Sequence, residues 1–230
     1  MDVLSMRWED LLFAHWDVEP GVVERRLPEG FEVDTHDGRA WLGVVPFVMR
    51  NIRPRPAPRC VGLDFAELNL RTYVSVGGER GVYFFSLDAD DVLGVAGARL
   101  AYDLPYYRAK TDVVTEDEEV RFSSSRAHPN APSVEFEATY RPVGDSFVAE
   151  NGSLAEFLTE RYLFFVPEED SVVRGEISHP RWRLREAEAE FGTNTLFKAN
   201  GFGTPEGEPH LLYGEGIDVT ASIPRRMSDV

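Results

Sequence analysis

Asp64-Phe65-Ala66-Glu67-Leu68-Asn69-Leu70-Arg71-Thr72-Tyr73-Val74-Ser75-Val76 alternates in character along its full length. Read as a strand, it presents Ala66, Leu68, Leu70, Thr72, Val74 and Val76 on one face. The other face carries Phe65, Glu67, Asn69, Arg71, Tyr73 and Ser75. Same-face side chains recur every ~6.5–7 Å, so Glu67, Asn69 and Arg71 form a polar ladder. The commonest meaning of such alternation is a solvent-facing side. Two features point instead to a pocket: Phe65 and Tyr73 bracket the polar face, and its members suit directed hydrogen bonding. In a barrel, alternate residues face the lumen, and a polar lumen is a ligand site. The alternation by itself leaves both readings open.

Outward from this segment, strand signals dominate. Ala40-Trp41-Leu42-Gly43-Val44-Val45-Pro46-Phe47-Val48-Met49 and Gly81-Val82-Tyr83-Phe84-Phe85-Ser86-Leu87 are nearly continuous apolar runs, so both faces of each should be covered. Val134, Phe136, Ala138 and Tyr140 alternate with Glu135, Glu137 and Thr139, as in a half-exposed strand. Further strands are expected near 118–123, 172–178, 182–191 and 211–220. The three prolines of Arg53-Pro54-Arg55-Pro56-Ala57-Pro58-Arg59 mark an extended loop inside the domain. Three short helices are expected. One follows Glu19-Pro20 and stops at Pro28, and one runs from Asp90 to Leu100. The third spans Ser153 to Phe165, opening on the capping box Ser153-Leu154-Ala155-Glu156 with Leu154, Phe157, Leu158, Tyr162 and Phe165 as an apolar stripe. About ten strands with three short helices predict an α+β, predominantly β chain. Its antiparallel sheet should be closed or strongly curved, within a single domain over residues 1–230.

Forty acidic residues against 24 basic ones give a net charge of −16, and only two of the basic residues, Lys110 and Lys198, are lysines. A dense acidic surface stays hydrated where the Debye length shrinks to ~3 Å at 1 M salt, so the balance reads as adaptation to molar salt. A GC-rich genome, favouring arginine codons, is the alternative. On either reading nucleic acid is not expected as a partner, because no basic stripe is present to track phosphates. No apolar run approaches the ~20 residues of a membrane span, and the first ten residues lack the features of a signal peptide. The single cysteine, Cys60, excludes an intrachain disulfide. A cytoplasmic location is expected.

Five histidines, His15, His36, His128, His179 and His210, show no ligand spacing, and no metal is expected. His15, between Ala14 and Trp16, reads as a hydrogen-bonded core histidine, with general acid/base work as the alternative. His179 precedes Pro180 and belongs in a turn or extended loop. Gly94-Val95-Ala96-Gly97 and Gly201-Phe202-Gly203 match no phosphate-binding pattern, and no cofactor is expected.

Several stretches together resemble the YqjF-like (DUF2071) family. They are Leu12-Phe13-Ala14-His15-Trp16, Ala40 to Phe47, Glu67-Leu68-Asn69-Leu70-Arg71-Thr72-Tyr73-Val74, Gly81 to Leu87, Leu104-Pro105-Tyr106-Tyr107-Arg108-Ala109-Lys110, Phe157 to Tyr162, and His179-Pro180-Arg181-Trp182. They cover most of the chain in order. The resemblance implies membership of the acetoacetate-decarboxylase-like superfamily, whose curved antiparallel sheet closes into a cone-like barrel around a central cavity. It also implies a role for Glu67, which looks like the carboxylate those enzymes carry on the corresponding strand. Their Schiff-base lysine, its pKa lowered by an adjacent lysine, does not carry over. In place of the lysine pair after proline stands Leu104-Pro105-Tyr106-Tyr107, and neither Lys110 nor Lys198 has a lysine neighbour. Arg108, two positions from Lys110, falls on the same strand face and offers a substitute.

The expected site is therefore a small-molecule pocket inside the barrel. Glu67 and Lys110 are the candidate catalytic groups. Asn69, Arg71, Tyr73, Tyr106, Tyr107 and Arg161 are candidate binding groups for a small carbonyl or carboxylate compound, with Arg71 as anion anchor. If it is an enzyme, lyase-type or proton-transfer chemistry without a Schiff base is expected. The alternative is a non-catalytic ligand-binding or structural module closed by a buried Glu67–Arg71 ion pair. No membrane partner is expected, and homo-oligomerisation is left open.

Overall fold

A computed structural model describes residues 1–90 and 104–227. Beyond Asp90 itself, the helix expected to Leu100 lies outside these residues, as does the Gly94–Gly97 pair. Fifteen strands form one sheet. They are β1 (Asp2–Glu9), β2 (Leu11–Val18), β3 (Glu32–Val33), β4 (Ala40–Pro54), β5 (Leu63–Val76), β6 (Glu79–Ala89), β7 (Tyr106–Glu116) and β8 (Glu119–Arg126). Then follow β9 (Glu135–Phe147), β10 (Leu163–Pro167), β11 (Val172–Ser178), β12 (Leu184–Asn194), β13 (His210–Gly214), β14 (Ile217–Ser222) and β15 (Arg225–Met227). Three helices, α1 (Pro20–Glu24), α2 (Leu154–Thr159) and α3 (Leu196–Ala199), and a 3-10 turn at Arg59–Val61 complete the described fold.

The pairings close two rings that share β4, β5 and β6. One runs β1-β14-β11-β10-β6-β5-β4 and returns to β1; the other runs β6-β7-β8-β9-β12-β13-β2-β4-β5 and returns to β6. The long β4 makes this fork. Its first residues pair with β2 (Ala40↔Val18 to Val44↔Ala14) and its last with β1 (Val48↔Glu9 to Pro54↔Leu4), while β5 runs along its other edge. Strand β6 forks likewise, meeting β10 at Val82 and β7 at Leu87 to Ala89, both in parallel. The remaining described pairings are antiparallel, as expected.

This fork explains the alternation of β5. Ala66, Leu68 and Leu70 pack into the core of the larger ring with Leu42, Val44, Phe122, Phe136 and Tyr140. Glu67, Asn69 and Arg71 point into the smaller ring. Neither face of this stretch meets bulk water: Leu68 is 0% exposed and Glu67 and Asn69 are 3%. A strand shared by two barrels has two interiors.

Helix α2 starts as its sequence requires. Ser153 Oγ accepts from Glu156 N at 3.2 Å, and Glu156 reaches back to Gly152 N rather than to the cap residue's own N–H. It stops at Thr159, six residues short of the expected end, and Phe165 belongs to β10. The physical reason is competition for its last carbonyls. Leu158 O accepts from Tyr73 and Arg71, and Phe157 O accepts from Arg161 Nε at 2.7 Å. The chain then pairs with β11 from Leu163 onward.

Candidate functional site

The smaller ring encloses a cavity of about 150 Å³. Its wall is largely apolar: Met6 and Trp8 from β1, Phe13 from β2, Phe47 and Met49 from β4, Phe84 from β6, Ile177 from β11, and Trp182. Against it stand Glu67, Asn69 and Arg71 from β5, with Tyr106, Thr159, Arg161 and His179.

Glu67 is the centre of the polar group. The Tyr106 hydroxyl donates to its Oε2 at 2.6 Å, and Asn69 Nδ2 donates to Oε1 at 3.3 Å. Burial pushes its pKa from 4.5 up to about 7, against the lowering pull of Tyr106, Asn69 and the Arg71 charge; the Asp88 carboxylate adds to the rise. Asn69 Oδ1 has no partner among the described residues. Turning the Asn69 amide over would offer that oxygen to a protonated Glu67, so this amide can serve the carboxylate and the acid alike. Burial and the neighbouring Glu67 together hold the Tyr106 phenol well above its usual range, so it stays a neutral donor.

Arg71 contributes a guanidinium that makes no ion pair among the described residues. Its Nη2 reaches Leu158 O at 3.3 Å and the Tyr73 hydroxyl at 3.4 Å, its Nε has no partner, and its Cζ lies 5.3 Å from the Phe13 ring centre. The expected Glu67–Arg71 ion pair is therefore not formed. Residues four apart on one strand face are separated by ~13 Å, and Asn69 stands between them. Arg161 is neutralised by a different carboxylate, Asp34, at 2.9 Å, and stacks on Phe157.

The other expected residues sort by strand geometry. Tyr106 pairs with Leu87 and Tyr107 with Asp88, and successive residues face opposite sides of a sheet. Tyr106 thus enters the cavity, while Tyr107 lies outside it, against Arg126 (Cζ 4.0 Å from the ring centre) and His128. Lys110 is a correction as well. The described β6–β7 pairing runs from Leu87↔Tyr106 to Ala89↔Arg108, and Lys110, two residues further along β7, is solvent-exposed opposite Ser125 of β8. Arg108 and Lys198 are exposed too, so neither lysine of the chain lines the cavity. Tyr73 is fully buried just behind Arg71 rather than in the wall. His15 is the buried, hydrogen-bonded histidine expected, bonded to Tyr73.

Sequence reasoning missed Asp34 as the partner of Arg161, and it missed the buried Asp88–Arg126 pair. Nothing in their local sequence announces either, because each pair is made by strand topology. The aromatic wall was partly visible, since His179-Pro180-Arg181-Trp182 was among the family-like stretches. No group of three or more His, Cys, Asp or Glu among the described residues is placed to hold a metal. No described helix is long and apolar enough to cross a membrane.

Known proteins give this geometry a context. The DUF2071 family model, described as an uncharacterized conserved protein, matches residues 5–218. Uncharacterized protein YqjF of Bacillus subtilis (strain 168) is 40% identical over 218 residues, covering 94% of this chain and 89% of that protein. The enduracididine biosynthesis enzyme MppR, complexed with pyruvate, superposes with a TM-score of 0.71 at 14% identity, over 99% of this chain and 91% of that one. The acetoacetate decarboxylase of Legionella pneumophila subsp. pneumophila str. Philadelphia 1 does so with a TM-score of 0.68 at 14% identity, over 97% and 87%. At such identities the structural likeness shows a common fold, the one the sequence resemblance implied.

Proposed function

This chain belongs to the DUF2071 family and has an acetoacetate-decarboxylase-like fold; from that premise we propose that its cavity binds a small carbonyl compound bearing a carboxylate. Arg71 holds the carboxylate and Glu67 moves a proton at the carbon next to the carbonyl. The observation that carries this reading is the pairing on one cavity face of a buried carboxyl poised near neutrality with a guanidinium that no carboxylate among the described residues neutralises. Three further facts support it. A cavity of about 150 Å³ is small beside the roughly 300–1,000 Å³ of drug-sized sites, which suits a ligand of a few heavy atoms. Its apolar wall strengthens the charge–charge contact to a bound anion. A protein of the same fold has been seen with pyruvate, and also with a condensation product of pyruvate and an aldehyde.

In this reaction a C–H proton passes to Glu67 and the bonding electrons move onto the carbonyl oxygen, giving an enolate. Protonation by the same Glu67 reverses it, and attack by the enolate carbon on an electrophile makes it lyase-type chemistry. A Schiff base has no part in it, because both lysines are exposed away from the cavity.

Pyruvate tests the proposal in two measurements. Titration calorimetry should show saturable binding that Arg71→Ala abolishes. Proton NMR in D2O should show exchange of the pyruvate methyl protons that Glu67→Gln abolishes while binding survives. Binding without exchange in the wild type would make the protein a non-catalytic binding module. Absence of binding for pyruvate, acetoacetate and their homologues would remove the proposal.

A further inference from the structure

We propose that His15 and Tyr73 are positioning residues that set the Arg71 guanidinium for an anion, and that Gly43 is a glycine to make room for them. The inference rests on the reading of Arg71 as the anion anchor, and it concerns groups that never reach the ligand themselves. Neither His15 nor Tyr73 lines the cavity.

Proton counting fixes the arrangement. The Tyr73 hydroxyl lies 2.6 Å from Leu158 O and 2.6 Å from His15 Nε2. A carbonyl only accepts, so the single phenolic proton goes to Leu158 O. The hydroxyl oxygen must then accept from His15, which assigns the proton of a neutral imidazole to Nε2. Burial, joined by the Arg71 charge, holds His15 well below its ordinary pKa and keeps it neutral. A second lone pair of the same oxygen faces Arg71 Nη2 at 3.4 Å, and Nη2 also donates to Leu158 O at 3.3 Å. Two acceptors thus fix one edge of the guanidinium. Each of those acceptors is itself fixed, the phenol by His15 and the carbonyl by the end of α2.

The backbone around this group has the shape it needs. Gly43 pairs with both His15 and Arg71 across the ladder. A Cβ on Gly43 would stand 2.6 Å from His15 Nε2 and 3.3 Å from Arg71 Cγ. Glycine inside a strand weakens it and often marks close approach of another group. Here the closely approaching groups are the imidazole and the arginine stem.

A purely structural role would be to satisfy buried polar groups, and it predicts changes in stability alone. The test is therefore a ratio. Affinities for pyruvate and for 2,3-butanedione, its neutral analogue with acetyl in place of carboxylate, are measured on the full chain. Variants are Tyr73→Phe, His15→Leu and the donor-preserving His15→Gln. Side-chain 15N NMR of Arg71 reports the order of its guanidinium without any ligand. We expect Tyr73→Phe and His15→Leu to weaken pyruvate binding by roughly tenfold, the scale of one hydrogen bond to a charged group. Affinity for 2,3-butanedione should stay within about twofold, the Arg71 signals should broaden, and His15→Gln should restore all three. Equal weakening of both ligands, or unchanged Arg71 order in Tyr73→Phe, overturns the proposal. Should pyruvate not bind the wild type, the ligand reading falls and the NMR comparison alone decides the positioning.

Discussion

The Tyr106 hydroxyl donates to Glu67 Oε2 across an intervening strand. Glu67 lies on β5 opposite Ala89 of β6, and β6 in turn pairs with β7, which carries Tyr106. A bond over two interstrand spacings of ~4.8 Å needs a long side chain and nothing tall between. Tyrosine supplies the first; Tyr106 stands level with Leu87 and Glu67 level with Ala89, so the bond runs diagonally across β6 to the position where that strand carries only a methyl group. The cavity's central carboxyl is thus held from outside its own strand.

Replacing Glu67 with Gln should stabilise the protein at alkaline pH. A carboxyl whose folded pKa lies at about 7 instead of 4.5 binds its proton more tightly when folded. Its stabilising contribution is complete below pH 4.5 and is lost as pH rises through 7. Wild type should match Glu67→Gln near pH 4 and fall below it by roughly 3 kcal/mol above pH 8. Urea unfolding at pH 4.5, 6 and 8 checks this. A variant less stable than wild type by the same margin at every pH would show that Glu67 is a structural acceptor rather than a strained acid.

Tyr106→Phe should push the Glu67 pKa further up, because the hydroxyl is the strongest of the hydrogen bonds that favour its ionised form. The carbon-13 shift of the Glu67 carboxyl, followed through a pH titration, reads the change directly. The pH profile of methyl-proton exchange should move in the same alkaline direction. A pKa that falls would mean the phenol is not donating.

How much of this was legible in the sequence depended on whether the cause was local. The N-cap at Ser153 and the alternation of β5 are local patterns, and both appear where expected. The end of α2 was not legible, since its stripe continues through Tyr162 and Phe165 while Leu158 O is taken by Tyr73 and Arg71 of the distant β5 and Phe157 O by the side chain of Arg161. Period-two alternation is the same whether a strand divides water from core or one interior from another, so the double ring was invisible in β5 alone. Tyr106 and Tyr107 are adjacent and chemically alike. Only their register on β6 decides which one enters the cavity. Lys110 failed for a related reason: it alternates in phase with Tyr106, and no local signal tells where along β7 that face passes from cavity to solvent.

Breaking the Asp88–Arg126 pair should be among the costliest single changes outside the cavity. Both bonds are 2.6 Å long, with side chains 0% and 2% exposed. Removing one partner strands the other charge in the interior, so Arg126→Met or Asp88→Asn should cost about 3–5 kcal/mol. The double replacement Asp88→Leu with Arg126→Met should cost much less, since it leaves no lone charge. Chemical denaturation of the three variants gives the comparison. Single variants within 1 kcal/mol of wild type would mean that water reaches the pair.

Stability should climb with potassium chloride well beyond the concentration at which simple screening is complete. The net charge is −16, and part of it is concentrated on the outer face of the larger ring. There Glu137 of β9 and Glu186, Glu188 and Glu190 of β12 are all exposed, with Arg141 bound to Glu188. Repulsion of this kind is relieved early, because the Debye length has already dropped to ~8 Å at 0.15 M. Any acidic protein, including one shaped only by codon bias, would show that first rise in Tm and then a plateau. An acidic surface adapted to molar salt must go on gaining as its carboxylates keep the protein hydrated. Melting curves from 0.05 to 3 M potassium chloride separate the two: a Tm still rising between 1 and 3 M supports salt adaptation, and a plateau reached by about 0.5 M assigns the arginine-rich, lysine-poor composition to the genome.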